Sequence, residues 1–155
     1  MTTSLPAPRT ESYQLSDRMI DDTPVPAAFH TPAPNEAARE ELLLKKLGAR
    51  GWGRLHHFRQ FYQPGWGERR CRPLSPRATE AFFRFLEEVR FASGCMPSLF
   101  LTDQGGLELR WELNGRDVQV EFSSEGIESY SAADGNEAVV PHAEASAVAR
   151  RFSAV

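Results

Sequence analysis

Alternation of apolar and polar residues is the strongest pattern in this chain, and it runs from residue 97 to residue 131. Period-two alternation predicts strands with one buried face and one charged face. Asn114-Gly115 lies between the two clearest runs and suits a two-residue hairpin turn, because both residues tolerate positive φ. The pattern therefore predicts a four-stranded antiparallel β-meander, with strands at 97–102, 107–113, 118–122 and 127–130.

Apolar residues spaced three or four apart predict helices around this sheet. The clearest helix has Ser75 as its N-cap, Pro76 at its first position and an apolar stripe that reaches Val89. Gly48 is expected to end the first helix, and residues 131–140 are predicted to be a polar loop. The predicted helices are 36–47, 55–62, 76–92 and 141–152, of which the last two should cover the apolar face of the sheet.

Residues 1–34 are rich in proline and poor in apolar side chains. Such a segment cannot bury enough surface to offset its conformational entropy, so a flexible N-terminal arm is predicted, with a short docking patch at 13–20. Residues 35–155 are then expected to form a single α+β domain. No apolar run approaches the ~20 residues of a membrane span, and no signal peptide is evident, so a cytoplasmic protein without membrane contact is predicted.

Charge is distributed unevenly along a chain whose net charge is −3. Residues 1–44 hold 3 basic and 7 acidic side chains, residues 45–90 hold 11 and 4, and residues 91–155 hold 4 and 10. The middle is therefore basic and both flanks are acidic. Two interpretations are open: the flanks neutralise the middle within one fold, or the middle forms a basic face for an anionic partner.

Arginine and aromatic residues are interleaved between residues 48 and 76, which makes this segment the sharpest functional candidate. Such residues suit a protein interface, and they also suit nucleic acid through phosphate contacts and base stacking, over residues 45–90. A third interpretation is that the aromatic rings only cover the sheet. The candidate partner-binding residues are Trp52, Arg54, Arg59, Tyr62, Trp66, Arg69, Arg70 and Arg72.

Other reactive side chains do not form a recognisable catalytic or metal-binding pattern. His56 and His57 are adjacent and point to different sides of a helix, so they do not chelate a metal. Cys71 lies among arginines, which favour a thiolate, but no general base accompanies it. Carboxylates on alternate hairpin positions are typical of a solvated sheet face, although that face could meet a basic partner. No catalytic residue, metal or cofactor is predicted.

Several motifs resemble a loose group of small, mostly uncharacterised bacterial proteins. The motifs are Gly65-Trp66-Gly67-Glu68, Pro73-Leu74-Ser75-Pro76 with its helix, and a Gly-Gly-apolar-x-apolar-x-Trp hairpin at 105–111. The resemblance covers residues 52–131, and Gly67-Glu68 stands where the group has an Asp-Gly pair. It implies a Gly-Trp turn, a helix and a hairpin, and it associates the chain with an antitoxin or immunity role.

These observations predict a non-enzymatic protein-binding inhibitor of bacterial or phage origin, of the antitoxin or immunity type, which acts by occluding a partner surface. The partner is expected to be another protein, such as a toxin or a defence component. The alternative is a nucleic-acid-associated accessory protein that uses the basic-aromatic segment 50–90. A homodimer is compatible with either function.

Overall fold

The computed structural model describes residues 34–67 and 71–155, so the predictions for the arm before Pro34 and for Arg69 and Arg70 lie outside the described residues. The described chain is an α+β fold with an open antiparallel sheet. Its helices are α1 (Pro34–Phe61), α2 (Pro76–Glu88) and α3 (Ala145–Arg151), the last preceded by a 3₁₀ turn at His142–Glu144. Its strands are β1 (Ser98–Leu101), β2 (Leu107–Leu113), β3 (Arg116–Phe122), β4 (Ile127–Ser131) and β5 (Asn136–Val140).

The strands form a meander in the order β1-β2-β3-β4-β5, and this confirms the predicted antiparallel topology. The predicted strand count of four was wrong, because the expected polar loop at 131–140 contains β5. Within residues 34–67 and 71–155, β5 lies at the edge of the sheet and pairs only with β4. An edge strand buries little surface, and here Val139 is exposed while Ala138 is only half-buried, so the apolar signal of a strand is weak.

Strand register separates the sheet into an apolar face and an outer face. Trp111 lies opposite Val118, and Leu109 lies opposite both Leu99 on β1 and Val120 on β3. All five side chains are 6% exposed or less. The alternation of apolar and polar residues in the hairpin therefore marks a buried face, as predicted.

α2 and α3 cover the apolar face. Ser75 caps α2 by accepting a hydrogen bond from the backbone N–H of Ala78 at 3.3 Å, as its position before Pro76 predicts. α2 ends at Glu88 and not at residue 92, because Val89 is extended. From there the chain pairs with the C-terminus: the carbonyl oxygen of Arg90 accepts from the N–H of Ala154 at 2.7 Å.

α1 is bent at Gly48, whose φ of 67° and ψ of −174° are not helical. Residues 34–47 form its first segment and residues 49–61 its second segment. In a straight helix Glu36 and Arg59 would lie about 35 Å apart, yet both line one crevice. The two segments are therefore folded back on each other, with Gly48 at the turn as the sequence predicts, and the second segment begins earlier than the predicted residue 55.

None of the helices in residues 34–67 and 71–155 combines the length and the apolar character needed to cross a membrane.

Candidate functional site

The second segment of α1 turns three different faces to its surroundings. Leu55 and Phe58 are buried in the core. Trp52 and Arg59 lie on the flank that faces the first segment, and Arg54 lies on the opposite flank. A rotation of about 100° per residue produces this split, so residues that are interleaved in sequence do not share one surface.

The flank toward the first segment is a narrow, internally paired crevice of about 170 Å³. The rings of Trp52 and His56 stack with centroids 4.3 Å apart. His56 Nε2 lies 3.0 Å from Glu40 Oε1, although not in line for a hydrogen bond. Burial lowers the pKa of Arg59 from its ordinary value, partly opposed by Glu36. The cationic and anionic groups that line this crevice largely neutralise each other's charge.

The opposite flank carries a basic stripe, which we define as Arg50, Arg54, His57 and Phe61. These positions recur every three or four residues, so they lie one above another on the helix. Three of them border an open groove of about 470 Å³, together with Gly53, Phe58 and Tyr62. Phe61 lies beside it, with its ring 4.7 Å from that of His57 and 62% of its surface exposed.

Positive charge in this groove is not neutralised by the described chain. Arg54 lies over two aromatic rings, 5.5 Å from the Phe58 centroid and 5.0 Å from the Phe100 centroid on β1. Its Nε is shielded from solvent and finds no hydrogen-bond partner among the described residues. Within residues 34–67 and 71–155, no carboxylate lines the groove and neither Arg50 nor Arg54 forms an ion pair.

Aromatic rings continue from the groove into the loop that follows α1. Tyr62 packs edge-on against Phe58 and against Trp66, with centroids 5.6 Å and 4.2 Å away. Trp66 is held in turn because its indole Nε1 donates to the carbonyl oxygen of Arg72 at 2.7 Å. Gly65 and Gly67 have φ of 80° and 70°, so the backbone turns tightly around the ring of Trp66.

The loop is anchored to the sheet at its far end. The N–H of Arg72 donates to the carbonyl oxygen of Asp103 at 2.9 Å, and the N–H of Ser75 donates to that of Gly105 at 2.8 Å. Gly105 has a φ of 78°, and a Cβ built on it would lie 2.1 Å from the carbonyl oxygen of Pro73. The β1–β2 turn thus fixes the backbone beside Arg72, whose own side chain is exposed.

A second open hollow of about 420 Å³ lies near the end of the second segment, between Arg59, Tyr62 and the start of α2. Arg39 and Glu80 form an ion pair at its wall, and its other charged residue, Arg59, also lines the crevice that holds Glu36. The groove along the basic stripe differs from this hollow because no carboxylate of the described chain lines it.

The structure brings only part of the predicted partner-binding set together. Arg54 and Tyr62 border the groove, and Trp66 adjoins Tyr62. Trp52 and Arg59 lie on the other flank, and Arg72 lies in the anchored loop. Whether any of these residues binds a partner stays a prediction, and Arg69 and Arg70 lie outside the described part of the chain.

Sequence reasoning did not place Arg50, His57 and Phe61 on one surface with Arg54. The signal that could have found them is the helical spacing of Arg50, Arg54, His57 and Phe61, at four, three and four residues. Phe61 does not share the buried face of Leu55, because a separation of six residues turns about 240° around a helix.

Other candidate chemistry is sparse in the described ranges. No group of three or more His, Cys, Asp or Glu side chains there is placed to hold a metal ion. Cys71 and Cys95 are free thiols, and burial raises the pKa of Cys95. Comparison with protein families, with curated proteins and with solved structures finds no match to this chain. The resemblance to a bacterial group therefore stays a prediction.

Proposed function

We propose that this protein is a non-enzymatic binding protein, of the antitoxin, immunity or inhibitor kind, that covers an acidic surface patch of a partner protein. The basic stripe and the adjoining rings of Tyr62 and Trp66 would form the contact. The observation that carries the proposal is the groove itself, where arginines without a counter-ion in the described chain stand beside half-exposed aromatic rings. Arginine, tyrosine and tryptophan dominate the energetics of protein interfaces.

The extent of the stripe favours a protein over a long nucleic acid. The second segment spans residues 49–61, which is about 20 Å of helix. Arg54 at its middle contacts Phe100 at the border of the sheet. Beyond Phe100, the same side of the sheet carries the exposed carboxylates of Glu112 and Glu128. A polyanion that extends past the stripe would meet carboxylates, whereas an acidic protein patch of limited size would not.

Capture from a lysate of the source organism tests the proposal. Tagged wild-type protein is compared with the stripe variant Arg50→Glu/His57→Glu, in which both changed residues are exposed. The control is Arg77→Glu/Arg90→Glu, which reverses two exposed arginines outside the groove and makes a slightly larger change of net charge than the stripe variant. The wild type and the control should both retain a captured protein that the stripe variant loses. With both proteins purified, the affinity of the stripe variant for that partner should be at least about 30-fold lower than that of the wild type, or roughly 2 kcal/mol.

The nucleic-acid alternative gives a different result in the same set of variants. Labelled DNA or RNA would bind the isolated wild type with an affinity that falls steeply with salt. For each tenfold rise in salt concentration, log K would drop by about 0.7–0.9 per phosphate neutralised. Sub-micromolar, salt-sensitive binding that the stripe variant loses would replace the proposed function with a nucleic-acid function. A captured protein that all three forms bind equally would exclude the stripe as its site.

A further inference from the structure

The outer face of the sheet is acidic, and no helix of the described chain covers it. We define the acidic face by its six carboxylates, Glu108, Glu112, Asp117, Glu121, Glu128 and Glu137, whose strand positions point away from the core. Arg110 is the one basic residue at the described strand positions of this face. Tyr130 and Val139 lie among the carboxylates and are 38% and 75% exposed.

Strand register places like charges directly opposite each other. Glu121 on β3 has Glu108 on one side and Glu128 on the other. Glu108 is satisfied within the chain, since it accepts from Arg110 Nε at 2.5 Å and from Gln119 Nε2 at 2.8 Å. Among the described residues, Glu121 and Glu128 have no cationic partner. Directly opposed like charges destabilise a sheet, so this face would be stabilised by cations from outside.

The chain carries a matching positive surface beside this face. Arg54 of the basic stripe lies over Phe100, and Phe100 occupies the outer side of β1 opposite Glu108. The basic stripe and the acidic face therefore meet at the β1 edge of the sheet. Two adjacent surfaces of opposite charge on one molecule are self-complementary under a two-fold rotation.

We propose that two copies of this chain associate in an isologous dimer, in which the basic stripe of each copy lies on the acidic face of the other. The two-fold axis would pass near Phe100, where the two surfaces meet. Each contact then occurs twice, and the assembly closes at two copies without leaving either surface open. The stripe's cations would neutralise the exposed carboxylates of Glu112 and Glu128 and the half-buried carboxylate of Glu121.

The two surfaces are large enough for such a dimer. Five strands spaced 4.7–4.9 Å apart span about 19 Å, and strands of four to seven residues run about 13–23 Å. Covering this face and the stripe on both copies would bury on the order of 1,200 Å² in total, which is at the lower bound of specific interfaces. The interface is mostly charged, so the dimer should be reversible and sensitive to salt.

This dimer does not rest on the proposed function, but it would regulate it. The stripe is occupied in the dimer, so an acidic partner would have to displace the second copy. Binding of such a partner would then depend on protein concentration, with the monomer as the competent form.

Charge reversal with complementation tests the dimer on the purified protein alone. The stripe variant is Arg50→Glu/His57→Glu and the face variant is Glu112→Lys/Glu128→Lys, and all four residues are exposed. Sedimentation equilibrium at about 0.2 mM protein and about 50 mM salt, where screening is weak, should give a dimer for wild type. Each variant alone should be monomeric, because the stripe variant sets carboxylates against the acidic face and the face variant sets two lysines against the arginines of the stripe. An equimolar mixture should dimerise again, since both of its contacts pair opposite charges.

The control Glu41→Lys/Glu125→Lys makes the same change of net charge at exposed positions away from the acidic face and should remain dimeric. Circular dichroism of every variant establishes that it is folded. A monomeric wild type at this concentration overturns the proposal, as does a dimer that survives in both variants. Growth beyond two copies would mean head-to-tail contacts and would overturn the isologous arrangement. None of these outcomes depends on finding a partner, so they are separate from a failure of the proposed function.

Discussion

The guanidinium of Arg54 on the second segment of α1 lies 5.0 Å from the ring centroid of Phe100 on β1. The guanidinium of Arg110 on β2 lies 5.4 Å from the same centroid. The ring is 37% exposed and has two cations over it, one from a helix and one from the sheet. This contact links the basic stripe to the acidic face.

A double-mutant cycle with Arg54→Ala and Phe100→Leu should show a coupling of about 0.5–1 kcal/mol in the free energy of unfolding, as expected for a cation–π contact near the surface. The measurement is urea denaturation of the wild type, both single variants and the double variant. Arg54→Ala combined with Tyr130→Leu is the control cycle and should be additive. Additivity in the Phe100 cycle would mean that the ring does not hold the arginine.

The sheet was largely predictable from sequence because its two faces differ. The alternation from Leu107 to Phe122 follows the pleat, and the structure reproduces the predicted hairpin with Asn114 at φ 53° and Gly115 at φ 74°. β5 was missed because an edge strand has a single neighbour and needs no continuous apolar row. The helix ends were set by tertiary contacts, such as the pairing of Arg90 with Ala154, which sequence spacing does not show.

The candidate site was less predictable than the fold. Interleaved arginines and aromatic residues pointed to the segment that borders the groove, but not to which of them share a face. That depends on the bend at Gly48, which folds the first segment against Trp52 and Arg59 and leaves Arg54 on the open side. A sequence can show that a glycine ends a helix, but the direction in which the next helix leaves depends on packing with the rest of the molecule.

Trp111 joins the sheet to three helical and loop aromatics. Its ring lies 5.4 Å from Phe91, 6.0 Å from Phe85 and 6.3 Å from Phe152. Trp111→Ala should therefore lower the free energy of unfolding by about 3–5 kcal/mol, the range for large aromatics removed from a core. Urea denaturation followed by far-ultraviolet circular dichroism measures the loss.

Trp111→Phe provides the matched comparison. The buried indole Nε1 of Trp111 has no hydrogen-bond partner among the described residues, so its removal costs no bond and the loss should be well below that of the alanine variant. An alanine variant with an unchanged melting temperature would contradict the buried position of Trp111.

Gly105 should tolerate alanine poorly for two separate reasons. Its φ is 78°, and a Cβ would lie 2.1 Å from the carbonyl oxygen of Pro73. Gly135 has a φ of 64° with open space around it, so Gly135→Ala measures the backbone strain alone, about 1–2 kcal/mol. Gly105→Ala should cost clearly more in thermal unfolding. Equal losses in the two variants would show that the close approach to Pro73 is not present in solution.

The carboxyl of Glu121 should make stability depend on pH. Burial raises its pKa above the ordinary value, the hydroxyl of Thr102 opposes this by a hydrogen bond, and the negative charges of Glu108 and Glu128 raise the pKa further. The folded state therefore holds this proton more tightly than the unfolded state. The stability that Glu121 contributes is present below the unfolded pKa of about 4.3 and is lost as the pH rises through the folded pKa.

Glu121→Gln should consequently be more stable than wild type at neutral pH, by about 0.2–1 kcal/mol, because it removes a like charge from the middle of the cross-strand row. The difference should shrink as the pH falls toward about 4, where the wild-type carboxyl also becomes neutral. Thermal unfolding at a series of pH values measures it. Glu125→Gln, in the exposed turn before β4, is the control and should show no such difference. A Glu121→Gln protein less stable than wild type at pH 7 would mean that the charged carboxylate is stabilised on this face.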